Sequence, residues 1–245
     1  MMNAPAHDFT MPLKERTTVL DWAKAEENLL ERGFAKLGPL LSLAECAYFR
    51  ARYQDEALYR SHIHMARYSF GKGEYKYYRY PLPDPLATMR EASFKPLSHI
   101  ANRWNERLSR DTRYPDAHAD YTARCHAKGQ KRPTPLILKY ETGDYNCLHQ
   151  DLYGEEYFPF QMAVLLSDPE TEFTGGEFVL VENRPRMQSR PQVVSLKQGE
   201  AVVFAVNERP RLGSRGYHRT SLRHGVSEIT SGMRYMLGVI YHDAA

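Results

Sequence analysis

The stretch PTPLILKYETGDYNCLHQD, residues 133–151, is where the texture of this chain changes. Leu136–Tyr140 is a short β-rich run directly after two prolines. From there onward such runs alternate with Gly, Pro, Asn and Asp punctuation. The others are Gln161–Leu166, Glu177–Val181, Val193–Leu196, Ala201–Val206, Thr220–Val226 and Arg234–Tyr241. Several short strands within about 110 residues predict an antiparallel sandwich or barrel.

Upstream of Pro133 the pattern is helical. Val19, Leu20, Trp22, Ala23, Leu29 and Leu30 recur near 3.6 spacing and predict a helix over 17–33, stopped by Gly33. Phe34–Leu41 reads as an edge strand. Ser42 with Glu45 three residues on is a capping box that opens a helix to about Tyr53. A further helix is expected over 86–110, and Pro115 opens a fourth to about Lys128. Residues 1–16 are polar and contain proline, which predicts a loose arm. Helices first and strands after make one α+β domain over 1–245, its helices bracing one face of the sandwich. Residues 1–132 are mainly support and substrate lid, and 133–245 are the core.

Composition narrows the setting. Thirty-three Lys and Arg stand against thirty Asp and Glu, a net charge of +3 that does not by itself imply nucleic acid. No apolar run approaches the roughly 18 residues of a membrane span, and no apolar leader follows Met1, so neither membrane nor secretion is expected. Cys46, Cys125 and Cys147 are odd in number and widely spaced, which argues for a reducing, cytoplasmic setting over a disulfide scaffold.

The chemistry is carried by His149-Gln150-Asp151 and by His224, 73 residues beyond Asp151. In an extended segment residues i and i+2 share a face, so His149 and Asp151 can reach one ion. Two histidines and one carboxylate on one face of an octahedral metal are the ligand set of an oxygen-activating non-haem Fe(II). Arg234 follows His224 by ten residues, on the next expected strand, where a guanidinium can grip a carboxylate bidentately. His218 competes with His224 but lacks the Gly-Val that follows it. His62 and His64 share an extended face with no third ligand nearby in sequence, and read as packing or surface residues. Cys147 reads as a buried structural thiol.

Residues 133–243 resemble the Fe(II)/2-oxoglutarate-dependent oxygenases, through His149-x-Asp151, Gly175-Gly176, His224-Gly225-Val226 and Gly232-x-Arg234-Tyr235. The resemblance implies a double-stranded β-helix (jelly roll), with Fe(II) on His149, Asp151 and His224. It also implies the far carboxylate of 2-oxoglutarate on Arg234, the hydroxyl of Tyr140 helping to hold that co-substrate, and O2 as oxidant. Tyr140, Gly143, Leu148, His149, Gln150 and Asp151 are similar to the AlkB-type nucleic-acid dealkylating enzymes. Two features depart from that group: Leu138 stands where it carries asparagine, and a single arginine at ten residues is like the prolyl-hydroxylase relatives. Residues 67–77 and Pro81-Leu82-Pro83 extend the likeness to a bacterial oxygenase family described as acting on damaged, alkylated DNA.

Two segments bear on substrate. Over 67–80, Arg67, Lys72, Lys76 and Arg79 interleave with Tyr68, Phe70, Tyr75, Tyr77, Tyr78 and Tyr80. Cations beside rings are the working parts of single-strand or flipped-base recognition, and the glycines would let the segment flex as a lid; the alternative is a β-hairpin whose tyrosines cover the helical layer with its charges solvated. Arg209, Arg211, Arg215, Arg219 and Arg223 predict a basic loop at the rim of the site, able to grip a phosphate backbone or an acidic peptide, or else a solvated surface loop. The expected function is oxidative demethylation or hydroxylation of alkylated nucleic acid. A protein or small-molecule hydroxylase on the same centre is the alternative, and a metal-free jelly-roll binding module is a third reading.

Overall fold

The structure is a computed structural model that describes residues 8–152, 154–183 and 187–245. Residues 1–7 of the expected arm lie outside the described residues. From there the arm is not loose: α1 (Leu13–Thr18) forms, and its buried Arg16 donates to the Leu40 carbonyl at 2.5 Å and pairs with Glu45 at 2.6 Å. The expected helix over 17–33 is broken because Asp21 caps a new start. Its carboxylate accepts the Lys24 amide at 2.8 Å, α2 runs Trp22–Arg32, and Gly33 ends it at φ +83°. The capping box forms as expected and opens α3 (Leu43–Ala51). After α4 (Asp84–Arg107), α5 (His118–Ala127) begins three residues past Pro115. The proline does not open it because Asn102 holds Tyr114 by both backbone groups, at 2.7 and 2.9 Å, and keeps the connection extended.

The strands of the C-terminal half are β5 (Leu136–Glu141), β6 (Tyr145–His149), β7 (Phe160–Leu165), β8 (Phe173–Gly175), β9 (Phe178–Asn183), β10 (Arg190–Val194), β11 (Glu200–Ala205), β12 (Glu208–Gly213), β13 (Gly216–Val226) and β14 (Ile229–Ile240). The N-terminal half adds the edge strand β1 (Phe34–Pro39) and three more, β2 (Tyr59–His64), β3 (Gly71–Lys72) and β4 (Glu74–Tyr78). All pair antiparallel in two sheets. The larger runs β1-β11-β7-β14-β5-β4-β2, with β8 on β14. The smaller runs β10-β9-β13-β6-β3, with β12 on β13. From β5 to β14 the chain crosses repeatedly between the sheets, one or two strands at a time. Phe178 of β9 meets Phe204 of β11 at 4.9 Å, so the two sheets face one another.

The helices cover the outer face of the larger sheet. Trp104 of α4 packs edge-on against Phe160 at 4.7 Å. Arg90 of α4 donates to the carbonyls of Ile240 and Tyr241 and pairs with the buried Asp243 at 2.7 Å. With helices on one side and the second sheet on the other, all six residues of β7 are buried, hence its unbroken apolar run. Among the described residues no helix is long and apolar enough to cross a membrane.

Candidate metal centre and co-substrate pocket

His149, the last residue of β6, is the direct cross-strand partner of His224 on β13. Opposed residues of an antiparallel pair share a face, so both imidazoles enter the space between the sheets, ring centroids 4.2 Å apart. Asp151 lies just beyond the strand end. Its carboxylate oxygens are 3.5 Å from His149 Nε2 and 3.3 Å from His224 Nε2. All three candidate ligand atoms fall within 4.8 Å of one another, which suits metal bonds of about 2.0–2.2 Å to each.

The surroundings prepare the donors. His149 Nδ1 donates to the Cys147 carbonyl at 2.7 Å, which leaves Nε2 free of its proton and turned to the cluster. Burial lowers the His149 pKa, and the neighbouring His224 adds to the effect against the opposing pull of Asp151. A neutral imidazole is the form a metal needs. Between the ligands, Gln150 turns aside and donates to the carbonyls of Leu222 (2.8 Å) and Asn207 (3.0 Å), tying the Asp151 turn to β13.

A second cross-strand pair lies in the same cavity. Arg234 of β14 is opposite Tyr140 of β5, with the guanidinium 5.6 Å from the ring centre. Arg234 is only 3% exposed, yet among the described residues its Nε and Nη1 have no hydrogen-bond partner, and Nη2 reaches only the Met236 sulfur at 3.6 Å. Burial pulls its pKa down, against the weaker pull of Tyr140 and Glu177. Burial likewise pushes the Tyr140 hydroxyl up to about 12, so it stays a donor. A buried charge without an acid partner costs several kcal/mol. The protein bears that cost where an anionic ligand would repay it.

The cavity is about 220 Å³ and is bounded by both clusters, by Tyr75, Tyr77 and Asn146, and by apolar residues that include Leu138, Met162 and Phe204. Pockets for drug-sized ligands run to roughly 300–1,000 Å³. This one suits a small dicarboxylate and a single reacting group. Two glycines let its walls close. A Cβ on Gly176 (φ +65°) would lie 3.0 Å from Arg234 Cδ and 2.2 Å from Ile229 Cδ1, and one on Gly73 (φ +108°) would lie 2.8 Å from the Tyr140 ring.

The structure sorts the residues expected to meet substrate. Tyr75 and Tyr77 line the cavity, ring centres 5.3 Å apart. Arg67 is exposed in the 3-10 turn Met65–Tyr68. Next to it Tyr68 and Phe70 are stacked at 5.5 Å and about half exposed, and Phe70 reaches the cavity. Lys76 is on the opposite face of β4, buried, bonded to Glu56 at 2.5 Å and to the Tyr53 carbonyl. The segment is not a free lid. Gly71 and Lys72 pair with Asn146 and Tyr145 of β6, and the Cys147 amide donates to the Phe70 carbonyl.

The arginine-rich loop expected before His224 is instead the β12–β13 hairpin. Arg209 folds inward onto the buried Glu182 at 2.5 Å, and Arg211, two residues on along the same face, reaches the same carboxylate at 3.4 Å. Arg219 and Arg215 are exposed, with Arg215 in the hairpin turn. Five residues of strand put Arg219 ~17 Å from His224, so neither arginine joins the cavity. His218 is on the hairpin as well, away from the cluster. Cys147 is exposed, not buried as expected, since only its carbonyl is used by the site. His62 and His64 do have a third neighbour, Glu74, brought in by strand pairing. Asn146 also lines the cavity, and nothing in the local sequence pattern marks it.

Comparison with known proteins follows the same line. Residues 73–244 match the model of the family Oxygenase-NA, described as an oxygenase catalysing oxidative methylation of damaged DNA. Two uncharacterized Mycobacterium tuberculosis proteins, Rv2227 and MT2286, are 50% identical over 165 residues, 67% of this chain and 71% of each relative. Among solved structures, a Pseudomonas putida prolyl-4-hydroxylase is similar in fold, with a TM-score of 0.54 at 12% identity over 91% of this chain and 99% of that one. A Burkholderia pseudomallei oxidoreductase of the 2OG-Fe(II) oxygenase family is similar at TM-score 0.50 and 15% identity, over 91% and 92%.

Proposed function

We propose that this chain, which belongs to the Oxygenase-NA family of oxygenases, is an Fe(II)- and 2-oxoglutarate-dependent dioxygenase that oxidises alkyl groups on nucleic-acid bases. One observation carries the reading: a buried guanidinium without an acid partner shares a small cavity with a two-histidine, one-carboxylate cluster. The repeated crossing of the chain between two facing sheets supports a double-stranded β-helix in one domain.

His149, Asp151 and His224 would hold the metal, and their donor set suits Fe(II) with positions left for other ligands. Bound together, Fe(II) and 2-oxoglutarate supply a two-electron oxidation in which dioxygen delivers one oxygen atom to a substrate C–H bond, with succinate and carbon dioxide released. Arg234 would form a charge-assisted fork with the far carboxylate of the co-substrate, and the Tyr140 hydroxyl would donate beside it. The apolar walls exclude water from the reacting carbon. If that carbon is an N-methyl group, the hydroxymethyl product loses formaldehyde and leaves the unmodified base, so oxidation of the methyl group is its removal.

The cavity admits the edge of one base and no duplex, so the target must leave its stack. Tyr75 and Tyr77 would flank the base. The exposed Tyr68–Phe70 stack and Arg67 at the mouth have the chemistry to receive a neighbouring base and a phosphate. Arg215 and Arg219 could meet backbone only at a distance from the reacting base. With Cys46, Cys125 and Cys147 free thiols, we assign the enzyme to the cytoplasm.

The test is succinate and formaldehyde release across methylated single- and double-stranded oligonucleotides and methyl-free controls. Matched release of both products from methylated strands alone is expected. The lone arginine ten residues after His224 favours a second reading, hydroxylation of a protein side chain or small molecule. That reading would show as succinate release without formaldehyde on a peptide or metabolite panel.

A further inference from the structure

His62 and His64 are alternate residues of β2 and share one face. Glu74 on β4 is the direct cross-strand partner of His64 and the diagonal neighbour of His62. Glu74 Oε2 is 2.9 Å from His62 Nε2 and 3.5 Å from His64 Nδ1, and the two imidazole centroids are 4.4 Å apart. The three donor atoms lie within 4.8 Å of one another. The other carboxylate oxygen is held from behind. Tyr53 donates to Oε1 at 3.0 Å and Lys139 approaches it at 3.6 Å, so Oε2 is presented alone.

We infer that His62, His64 and Glu74 form a second metal site, separate from the cavity, which takes Zn2+ in a tetrahedral arrangement with water as fourth ligand. The His64 contact is too long for a good hydrogen bond. Two imidazole nitrogens and one carboxylate oxygen converge at this spacing. Two histidines and one glutamate with a fourth position open to solvent are an established zinc donor set. The backing of Oε1 by Tyr53 is the kind of outer support that fixes a metal-bound carboxylate. His62 and His64 keep 32% and 46% of their side-chain surface, so an ion and its water have access.

The placement gives the ion a task. β2 is the outermost strand of the larger sheet and pairs with β4 alone. Glu74 is followed on β4 by Tyr75 and Tyr77, which line the cavity. A Zn2+ ion clamping β2 to β4 would fix the strand that carries that wall.

The test uses the full-length protein titrated with Zn2+, and with Co2+ as a spectroscopic probe. Wild type is expected to bind two equivalents of Co2+. One should show the strong visible absorption of four-coordinate Co(II) and the other the weak absorption of a six-coordinate ion. H62N/H64N, two half-exposed positions whose change leaves the Tyr53–Glu74 bond in place, should lose the strongly absorbing equivalent and keep the weakly absorbing one. In the background H149N/D151N one strongly absorbing equivalent should remain. Two equivalents in H62N/H64N, or none in H149N/D151N, would overturn the assignment. The second background also keeps the question answerable if H62N/H64N does not fold.

Discussion

Arg234 and Tyr140 are opposed across the β14–β5 ladder, guanidinium and ring 5.6 Å apart, and they share a cavity with a second opposed pair, His149 and His224. One pair belongs to each of the two facing sheets. The distance between the two pairs is therefore set by the sandwich itself, not by a loop, and rigid strands hold a site more closely than loops do.

Replacing Arg234 tests the anchor. A charge-assisted hydrogen bond contributes about 1.5–3 kcal/mol. Arg234→Gln should raise the KM for 2-oxoglutarate by roughly 10- to 150-fold, and Arg234→Lys, which keeps the charge and loses the fork, by less. The KM for the nucleic-acid substrate should change little. Steady-state kinetics with 2-oxoglutarate varied checks both.

Asp151 is the only anionic member of its cluster. Asp151→Asn removes the charge that holds a dication and leaves two neutral imidazoles. Fe(II) bound after anaerobic reconstitution should fall by more than about tenfold, measured by a colorimetric iron assay, while far-ultraviolet circular dichroism stays unchanged.

Gly176 tests how closely the wall meets the anchor. Gly176→Ala forces a Cβ at φ +65° to within 3.0 Å of Arg234 Cδ. Strain of about 1–3 kcal/mol is expected, with a lower Tm and a raised KM for 2-oxoglutarate. A fall in Tm without any change in that KM would mean that Arg234 does not need its present position.

Acid should weaken the fold through His242. Burial, with the charge of Arg90 adding to it, lowers its pKa to about 4, and its Nδ1 accepts the Phe158 amide at 3.2 Å. The folded state keeps this imidazole neutral down to about pH 4, while the unfolded chain takes up the proton near 6.5. Between those values the unfolded state binds more protons, so stability falls as pH falls. The loss should be on the order of 2–3 kcal/mol for a shift of this size. Urea unfolding across that window checks it. His242→Gln should be less stable at neutral pH and show a flatter dependence.

What could be read from sequence was local. The Ser42–Glu45 capping box, the apolar run of β7 and the His149-x-Asp151 spacing are each written within a few residues. A hairpin over 67–80 was one legible alternative, but the pairing of β4 with β2 was not, because it rests on contacts to residues upstream of that segment: Lys76 with Glu56, Glu74 with His62. The third member of the His62–His64 cluster was missed for the same reason, since register is not visible in one strand. The break at Asp21 was hidden by an apolar spacing that carries across it. The arginines before His224 read as a loop because Pro210, Gly213 and Gly216 punctuate them, yet the segment is a hairpin with Arg209 paired inward to Glu182.

The proposed function requires one cavity to take Fe(II) on His149, Asp151 and His224 with 2-oxoglutarate anchored by Arg234. Anaerobic calorimetric titration of 2-oxoglutarate into Fe(II)-loaded protein reads both parts at once. One equivalent should bind, with affinity lowered in Arg234→Gln and nearly abolished when iron is withheld or Asp151 is replaced by Asn. Binding of equal strength in Arg234→Gln, or binding indifferent to iron, would contradict it.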